Sequence, residues 1–253
     1  MPRFFLPSEN FKNIFVDNDG ESFIRINGSD AFHMVNVQRI KTGEHVTVCD
    51  MAANEYLCSF ESSKKENGET VALLKVISKS ESAVEPKTQI HVFQAFCKND
   101  KFDTVVQKCV ELGASKITPV LTQRCISRPD ESSVKKKIER LNKISYEASK
   151  QCGRGIVPAV TGQCFFEEAL ELMKGYDVAF ICYEGETHSL KNILKKDFKS
   201  CAFLIGPEGG FSQSEIDFAK EAGIATVSLG KLILRTETAA MSVLSMLLYE
   251  KEL

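Results

Sequence analysis

From Gln89 onward, apolar runs of strand length alternate with amphipathic segments of helix length, and that alternation leaves few architectures open. Ile90 to Phe96, Lys116 to Leu121, Asp177 to Tyr183, Ala202 to Ile205 and Ala225 to Leu229 read as short buried strands. Between them, Asp103 to Leu112 sets Val106, Val110 and Gly113 on one helical side, and a long helix is expected from about Glu131 to Gln151. Two more helices are expected to begin at Ser212 and near Thr236. Strands joined through helices pair in parallel, because each crossover carries the chain back along the height of the sheet. The expected class is therefore α/β with a mostly parallel sheet.

Residues 1–77 carry a different period. Ser22 to Ile26, Glu44 to Cys49 and Tyr56 to Phe60 alternate apolar and polar residues. Asn18-Asp19-Gly20, Asn27-Gly28, Lys41-Thr42-Gly43 and Lys65-Glu66-Asn67-Gly68 are turn sequences between them. The pattern predicts a small antiparallel β-barrel, an architecture that often binds nucleic acid without proving that it does. Ser78 to Pro86 is polar, small and closed by proline, so it reads as a linker, with the α/β domain at 87–253.

Composition excludes several classes. No apolar run approaches the length of a membrane span, and the first ten residues lack the apolar region of a signal peptide, so a cytoplasmic protein is expected. Nine cysteines without one CxxC pair read as reduced core thiols. The four histidines have no ligand spacing, and no metal site is expected. A net charge of −2 identifies no partner.

The long helix carries two stripes. Val134, Ile138, Leu141, Ser145 and Ala148 are spaced to face inward, whereas Lys136, Arg140, Lys143, Lys150 and Arg154 form a basic stripe interrupted by Glu147, with Arg124 and Arg128 upstream. Such a stripe is either a solvated face or a surface that tracks phosphates.

Two strand, loop, helix passages follow one another between Phe203 and Met241, and their loops carry the chemistry. In the first, Gly206-Pro207-Glu208-Gly209-Gly210 breaks the strand; its glycines let backbone approach a ligand, and their spacing is neither GxGxxG nor a Walker loop. Ser212-Gln213-Ser214-Glu215 is a capping box with Phe211 and Ile216 as its hydrophobic staple, which makes Glu215 structural. Glu208 has no such role. In the second loop, Arg235 precedes a helix whose N-terminus repels a cation, a local violation of the kind expected at functional sites. Thr236 has the chemistry of an N-cap and Glu237 that of a first-turn acid. The apolar face of the last helix, with Ala239, Ala240, Val243, Leu244, Met246, Leu247 and Leu248, is wide enough to be covered on two sides, by its own domain and by a second subunit.

IGPEGGFSQSE at 205–215 and LGKLILRTETAA at 229–240 closely resemble the RsmE family, the 16S rRNA uracil-N3 methyltransferases of the SPOUT, or trefoil-knotted, superfamily. Weaker matches at Arg3-Phe4-Phe5, at His33 with Val37 and Arg39, from Gln107 to Gly113, at Gln123-Arg124-Cys125 and from Glu147 to Arg154 follow in family order. Leu232 stands where the family usually has arginine, with Lys231 beside it; Lys150 and Gln123 replace common glutamates, and Gln38 a common leucine.

The resemblance implies a PUA-like RNA-binding barrel, then a SPOUT trefoil-knotted domain that binds S-adenosylmethionine (SAM) and forms a homodimer. It places the cofactor against Tyr183, Glu184, Gly185, Ile205, Gly206, Pro207, Glu208, Gly209, Gly210, Leu229, Gly230, Leu234, Arg235 and Thr236. Arg235 would stabilise the uracil anion, with Glu208, Glu237 or solvent taking the N3 proton. Arg3, Arg39, Arg124, Arg128, Lys136, Arg140, Lys143 and Arg154 would hold the 16S rRNA or the small ribosomal subunit. Two other readings stay open: a SPOUT methyltransferase with a different RNA target, and a non-catalytic RNA-binding module.

Overall fold

A computed structural model describes residues 1–6, 13–98, 101–128 and 130–252. The chain divides into one unit of Met1–Glu85 with Lys150–Val157, and another of Pro86–Ser149 with Pro158–Leu253.

In the first unit the alternating segments become strands β1 (Arg3–Phe5), β2 (Ile14–Val16), β3 (Ser22–Asn27), β4 (His45–Cys49), β5 (Asn54–Glu66) and β6 (Glu69–Glu81). They form one sheet in the order β1-β4-β5-β6-β3-β2. Every ladder is antiparallel except β1 with β4, which departs from the wholly antiparallel expectation. The connection from β1 to β4 is long, so no hairpin dictates its direction. The β5–β6 hairpin closes on Asn67 and Gly68 with φ of 50° and 86°, the two left-handed residues of a type I′ turn. Asn27-Gly28 is not a hairpin turn: it ends β3 and opens helix α1 (Gly28–Phe32), which runs on into a π-helical turn at His33–Val37. β6 also continues past the expected boundary, because Ser78, Lys79, Ser80 and Glu81 find backbone partners on β5. Phe4, Ile24, Met34, Val46, Val48 and Leu74 are fully buried together beneath this sheet.

The second unit contains β7 (Gln89–Ala95), α2 (Lys101–Glu111), β8 (Lys116–Leu121), α3 (Glu131–Cys152), β9 (Ala159–Val160), β10 (Cys164–Phe165), α4 (Phe166–Met173) and β11 (Val178–Cys182). It continues with α5 (Lys191–Leu194), β12 (Ser200–Ile205), α6 (Gln213–Glu221), β13 (Ala225–Val227) and α7 (Thr236–Glu252). The last residues of α3, from Lys150, group with the first unit. Its strands run in the order β10-β8-β7-β12-β11-β13, with β9 beside β8, and all pairs are parallel. The expected strands and helices of this region are present, with ends displaced by a few residues. Four elements were not anticipated. β9, β10 and α5 are too short to show a period, but α4 buries Phe166, Ala169, Leu170 and Met173, a spacing legible in the sequence.

The parallel strands place apolar residues on both faces, as a covered sheet requires. Phe93, Ile181, Ala202 and Leu204 pack with Leu170 and Met173 of α4 and Ile216 of α6. Alternation sends Phe180 and Phe203 to the other face, where their rings stack 5.8 Å apart and α7 lies against β12. No helix of the described residues is long and apolar enough to cross a membrane. The nine cysteines form no disulfide with one another, and burial pushes the thiols of Cys58, Cys97 and Cys201 up to about 12.

His91 on β7 is 3 % exposed, with its ring nitrogens 2.7 Å from Tyr176 Oη and 2.7 Å from Thr118 Oγ1. Burial, and then the charge of Lys116, push its pKa from 6.5 down to about 3. The unfolded chain binds this proton below pH 6.5 while the folded chain resists it. Stability is therefore fully present above that pH and is lost as pH falls toward 3, by up to about 1.4 kcal/mol per pH unit. Urea denaturation across this range is expected to show that slope, and His91→Gln, though less stable at neutral pH, is expected to flatten it.

Candidate active site

Parallel strands β11, β12 and β13 stop at one level: Cys182 is in register with Ile205 on one side and Val227 on the other. The loops that leave these ends share the carboxyl edge of the sheet, where open α/β folds collect ligands.

The loop after β12 turns tightly, with Gly210 N–H donating to Pro207 O at 3.0 Å. Gly210 has φ of +66°, a left-handed conformation that favours glycine, and a Cβ there would meet only the movable carboxylate tip of Glu184, at 2.6 Å. Ser212 then caps α6. Its hydroxyl accepts from Glu215 N at 3.2 Å, and Glu215 Oε2 accepts from Ser212 N at 2.8 Å. The other carboxylate oxygen accepts from Gln123 N at 2.8 Å, so Glu215, 3 % exposed, ties the loop after β8 to this turn. Phe211 and Ile216 are buried in one cluster, as the staple requires.

The loop after β13 ends on Arg235. Ala239 N donates to Arg235 O at 2.8 Å, so Arg235, and not Thr236, occupies the N-cap position. The buried Thr236 hydroxyl is committed elsewhere: it donates to Gly206 O at 2.7 Å and accepts from Gln94 Nε2 at 2.8 Å. The exposed Arg235 side chain has no hydrogen bond or ion pair among the described residues.

These loops enclose a cavity of about 310 Å³. Of the residues expected around a cofactor, Tyr183, Glu184, Ile205, Gly206, Pro207, Glu208, Gly210, Leu229, Gly230, Leu234, Arg235 and Thr236 line it. Gly185 and Gly209 do not; Gly185 lies under the Tyr183 ring and Gly209 faces Arg124. Lys231, Leu232 and Ile233, inside the expected stretch Leu229 to Thr236, line it too; Lys101, Cys182, Phe211, Ser228 and Ala239 also line it, and sequence reasoning did not name these five as site residues. Most are neighbours of expected positions. Lys101 arrives from α2, and no local pattern marks it.

Lys101 organises the charge of the wall. Its ammonium is 3.2 Å from Glu208 Oε1 and 3.9 Å from Glu237 Oε2. Burial would raise the Glu208 pKa, but the Lys98 N–H at 3.0 Å and Lys101 outweigh it and hold the carboxyl below its ordinary value. Glu237 Oε2 is buried without a hydrogen bond among the described residues, and Glu237 does not line the cavity.

The eight basic residues expected at RNA are not equivalent. Arg3 makes a two-pronged pair with Glu55, at 2.8 and 3.1 Å, and Arg154, 5 % exposed, pairs with Glu85 at 2.7 Å. Both side chains are engaged inside the first unit. Arg124 donates to Gly209 O at 3.0 Å, and Arg128 gathers the carbonyls of Thr122, Gln123 and Cys125, so both brace the loops beneath the cavity. Arg140 pairs with Asp103, and Lys150 with Asp30 at 2.9 Å. Arg39, with a left-handed φ of 54°, and Lys136 and Lys143 on α3 are exposed. Among the described residues no three His, Cys, Asp or Glu side chains are grouped to hold a metal ion.

Residues 84–248 match the family described as RNA methyltransferase domain, and residues 26–71 match the RNA methyltransferase PUA domain. The chain is 33 % identical over 235 residues to ribosomal RNA small subunit methyltransferase E of Bacillus subtilis (strain 168), covering 90 % of each. It is 30 % identical to ribosomal RNA small subunit methyltransferase E 2 of Borreliella burgdorferi, covering 90 % of this chain and 93 % of that one. It superposes with a TM-score of 0.84 on the crystal structure of a ribosomal RNA small subunit methyltransferase E from Neisseria gonorrhoeae bound to SAM, at 30 % identity, covering 98 % of this chain and 97 % of that one.

Replacing Glu215 removes the reciprocal cap and leaves Gln123 N without its acceptor. Glu215→Ala is expected to cost about 1–3 kcal/mol in urea denaturation, and Glu215→Gln, which keeps an acceptor oxygen, distinctly less.

Proposed function

The chain belongs to the RNA methyltransferase family that includes ribosomal RNA small subunit methyltransferase E, and on that premise we propose that it methylates N3 of a uridine in 16S rRNA. It is an α/β enzyme with a PUA-type unit, uses SAM, and acts on small-subunit rRNA. The observation that carries the finer reading is the unpaired guanidinium of Arg235 on the wall of a glycine-lined cavity.

The residues present fit SAM. Ile205, Phe211, Leu229 and Leu234 offer an apolar wall, and the backbone around Gly206 and Gly210 offers N–H and C=O groups to a heterocycle. Glu184 and Glu208 give the cavity acceptors suited to a cation. When bound, the cofactor supplies a methyl group carried on a positively charged sulfur.

Uracil N3 holds a proton between two carbonyls and becomes a nucleophile once that proton leaves. The resulting anion is spread over both oxygens, and Arg235 answers it: a planar, permanently charged donor free of any internal partner. Of the two carboxylates considered as bases, Glu208 faces the cavity and stays ionised at neutral pH, so it can accept the proton, with solvent as the other acceptor. Glu237 faces Lys101 and acts through it. N3 is on the pairing edge of the base, so the uridine enters unpaired or flipped out.

Of the eight basic residues expected at RNA, Arg39, Lys136 and Lys143 are the exposed ones with no protein partner among the described residues, and they are available to rRNA phosphates. A homodimer through the second unit is supported by Leu232, Ile233, Met246 and Tyr249, which are 81, 85, 39 and 73 % exposed around the cavity lip and α7.

Mass spectrometry of 16S rRNA from cells lacking the gene is expected to show loss of N3-methyluridine at one site; full retention overturns the substrate. Arg235→Ala should keep SAM affinity within about threefold while lowering turnover at least ~100-fold, as removal of a transition-state donor does. Gly210→Ala, strained at φ of +66°, is expected to weaken SAM binding by roughly tenfold or more in calorimetry.

A further inference from the structure

Gln94 is a polar side chain in the middle of the sheet, on β7, and it is fully buried. Its Nε2 donates to Ala95 O at 3.1 Å and to Thr236 Oγ1 at 2.8 Å, while its Oε1 has no hydrogen-bond partner among the described residues. The orientation of the amide is fixed by chemistry. Ala95 O can only accept, so the nitrogen must face it. Thr236 then receives a proton from Gln94, which leaves its own hydroxyl proton for Gly206 O, 2.7 Å away. The three groups form a directed chain from Gln94 through Thr236 to Gly206.

Each end of that chain matters to the cavity. Gly206 is the first residue of the glycine loop, and Thr236 is the first residue of α7, directly after Arg235. No backbone ladder joins these two segments, since Thr236 begins a helix and Gly206 lies beyond the end of β12. The hydroxyl is what joins them, and Gln94 holds the hydroxyl. An apolar residue at this position would pack without leaving a buried carbonyl oxygen unpaired, so stability alone does not account for the amide.

We propose that Gln94 is a positioning residue which, through Thr236 and Gly206, locks the cofactor loop to the turn that presents Arg235. Gln94 does not line the cavity and touches neither cofactor nor base; it acts by fixing both loops at once. The inference rests on the reading that the cavity holds SAM.

The test sets ligand affinity against stability in the full-length chain. Calorimetry gives the Kd for SAM, and thermal unfolding without ligand gives Tm, for wild type, Gln94→Met, Thr236→Val and the double variant. Gln94→Met is expected to raise Kd about tenfold, the effect of losing the buried hydrogen bond to Thr236, while its Tm equals or exceeds that of wild type. Thr236→Val should weaken binding comparably, and the double variant no more than the worse single one, because both cut one chain. The proposal is overturned if Gln94→Met binds SAM within about twofold of wild type, if the losses multiply in the double variant, or if affinity falls only in step with Tm. Wild-type protein that fails to bind SAM defeats the cofactor reading and this one with it; wild-type binding with unchanged variants defeats this one alone.

Discussion

The parallel pairing of β12 with β7 on one side and β11 on the other is the constraint from which the site follows. A parallel ladder fixes both the direction and the level of its strands. Because Ile205, Cys182 and Val227 are locked at one height, the segments that leave β12, β11 and β13 must share the same edge. None of the loops needs strong interactions of its own to reach the cavity. Apolar burial on both faces of the sheet supplies the stability, and the loops inherit their position.

What remains is to hold each loop in one conformation, and the chain does this with polar side chains, two of which sequence reasoning assigned to RNA. Glu215 joins its own helix start to the loop after β8. Arg124 and Arg128, expected at RNA, bond the carbonyls of Gly209 and of residues 122, 123 and 125. Lys101 balances Glu208 and Glu237. Arg235, at the helix start of the second loop, has no side-chain partner among the described residues, and that is why it stands available to a ligand's developing negative charge.

The basic stripe on α3 illustrates how charge in a sequence differs from charge on a surface. Five cations at helical spacing suggest one continuous face, but Arg140, Lys150 and Arg154 each meet a carboxylate contributed by a distant part of the chain. Lys136 and Lys143 keep their exposure. Spacing within a helix says which residues share a side; it says nothing about what the rest of the fold brings to that side.

The sequence by itself determined the class of the second unit, α/β with a mostly parallel sheet, because strand-length apolar runs alternate with helices, but not the strand order, which came only from folding. It also determined the capping box at Ser212, a local interaction within four residues, and the glycine loop, whose composition excludes ordinary phosphate-binding spacing. The two loops could be paired with a cofactor only through resemblance, since no period reveals a ligand. Tertiary structure alone decided the rest. It gave Thr236 to Gly206 and Gln94 instead of to its own helix N-cap, turned Glu237 toward Lys101, and spent Arg3 and Arg154 on partly buried carboxylates. Each of these contacts joins residues far apart in the chain, and a local pattern cannot specify a partner that only folding brings within hydrogen-bond distance.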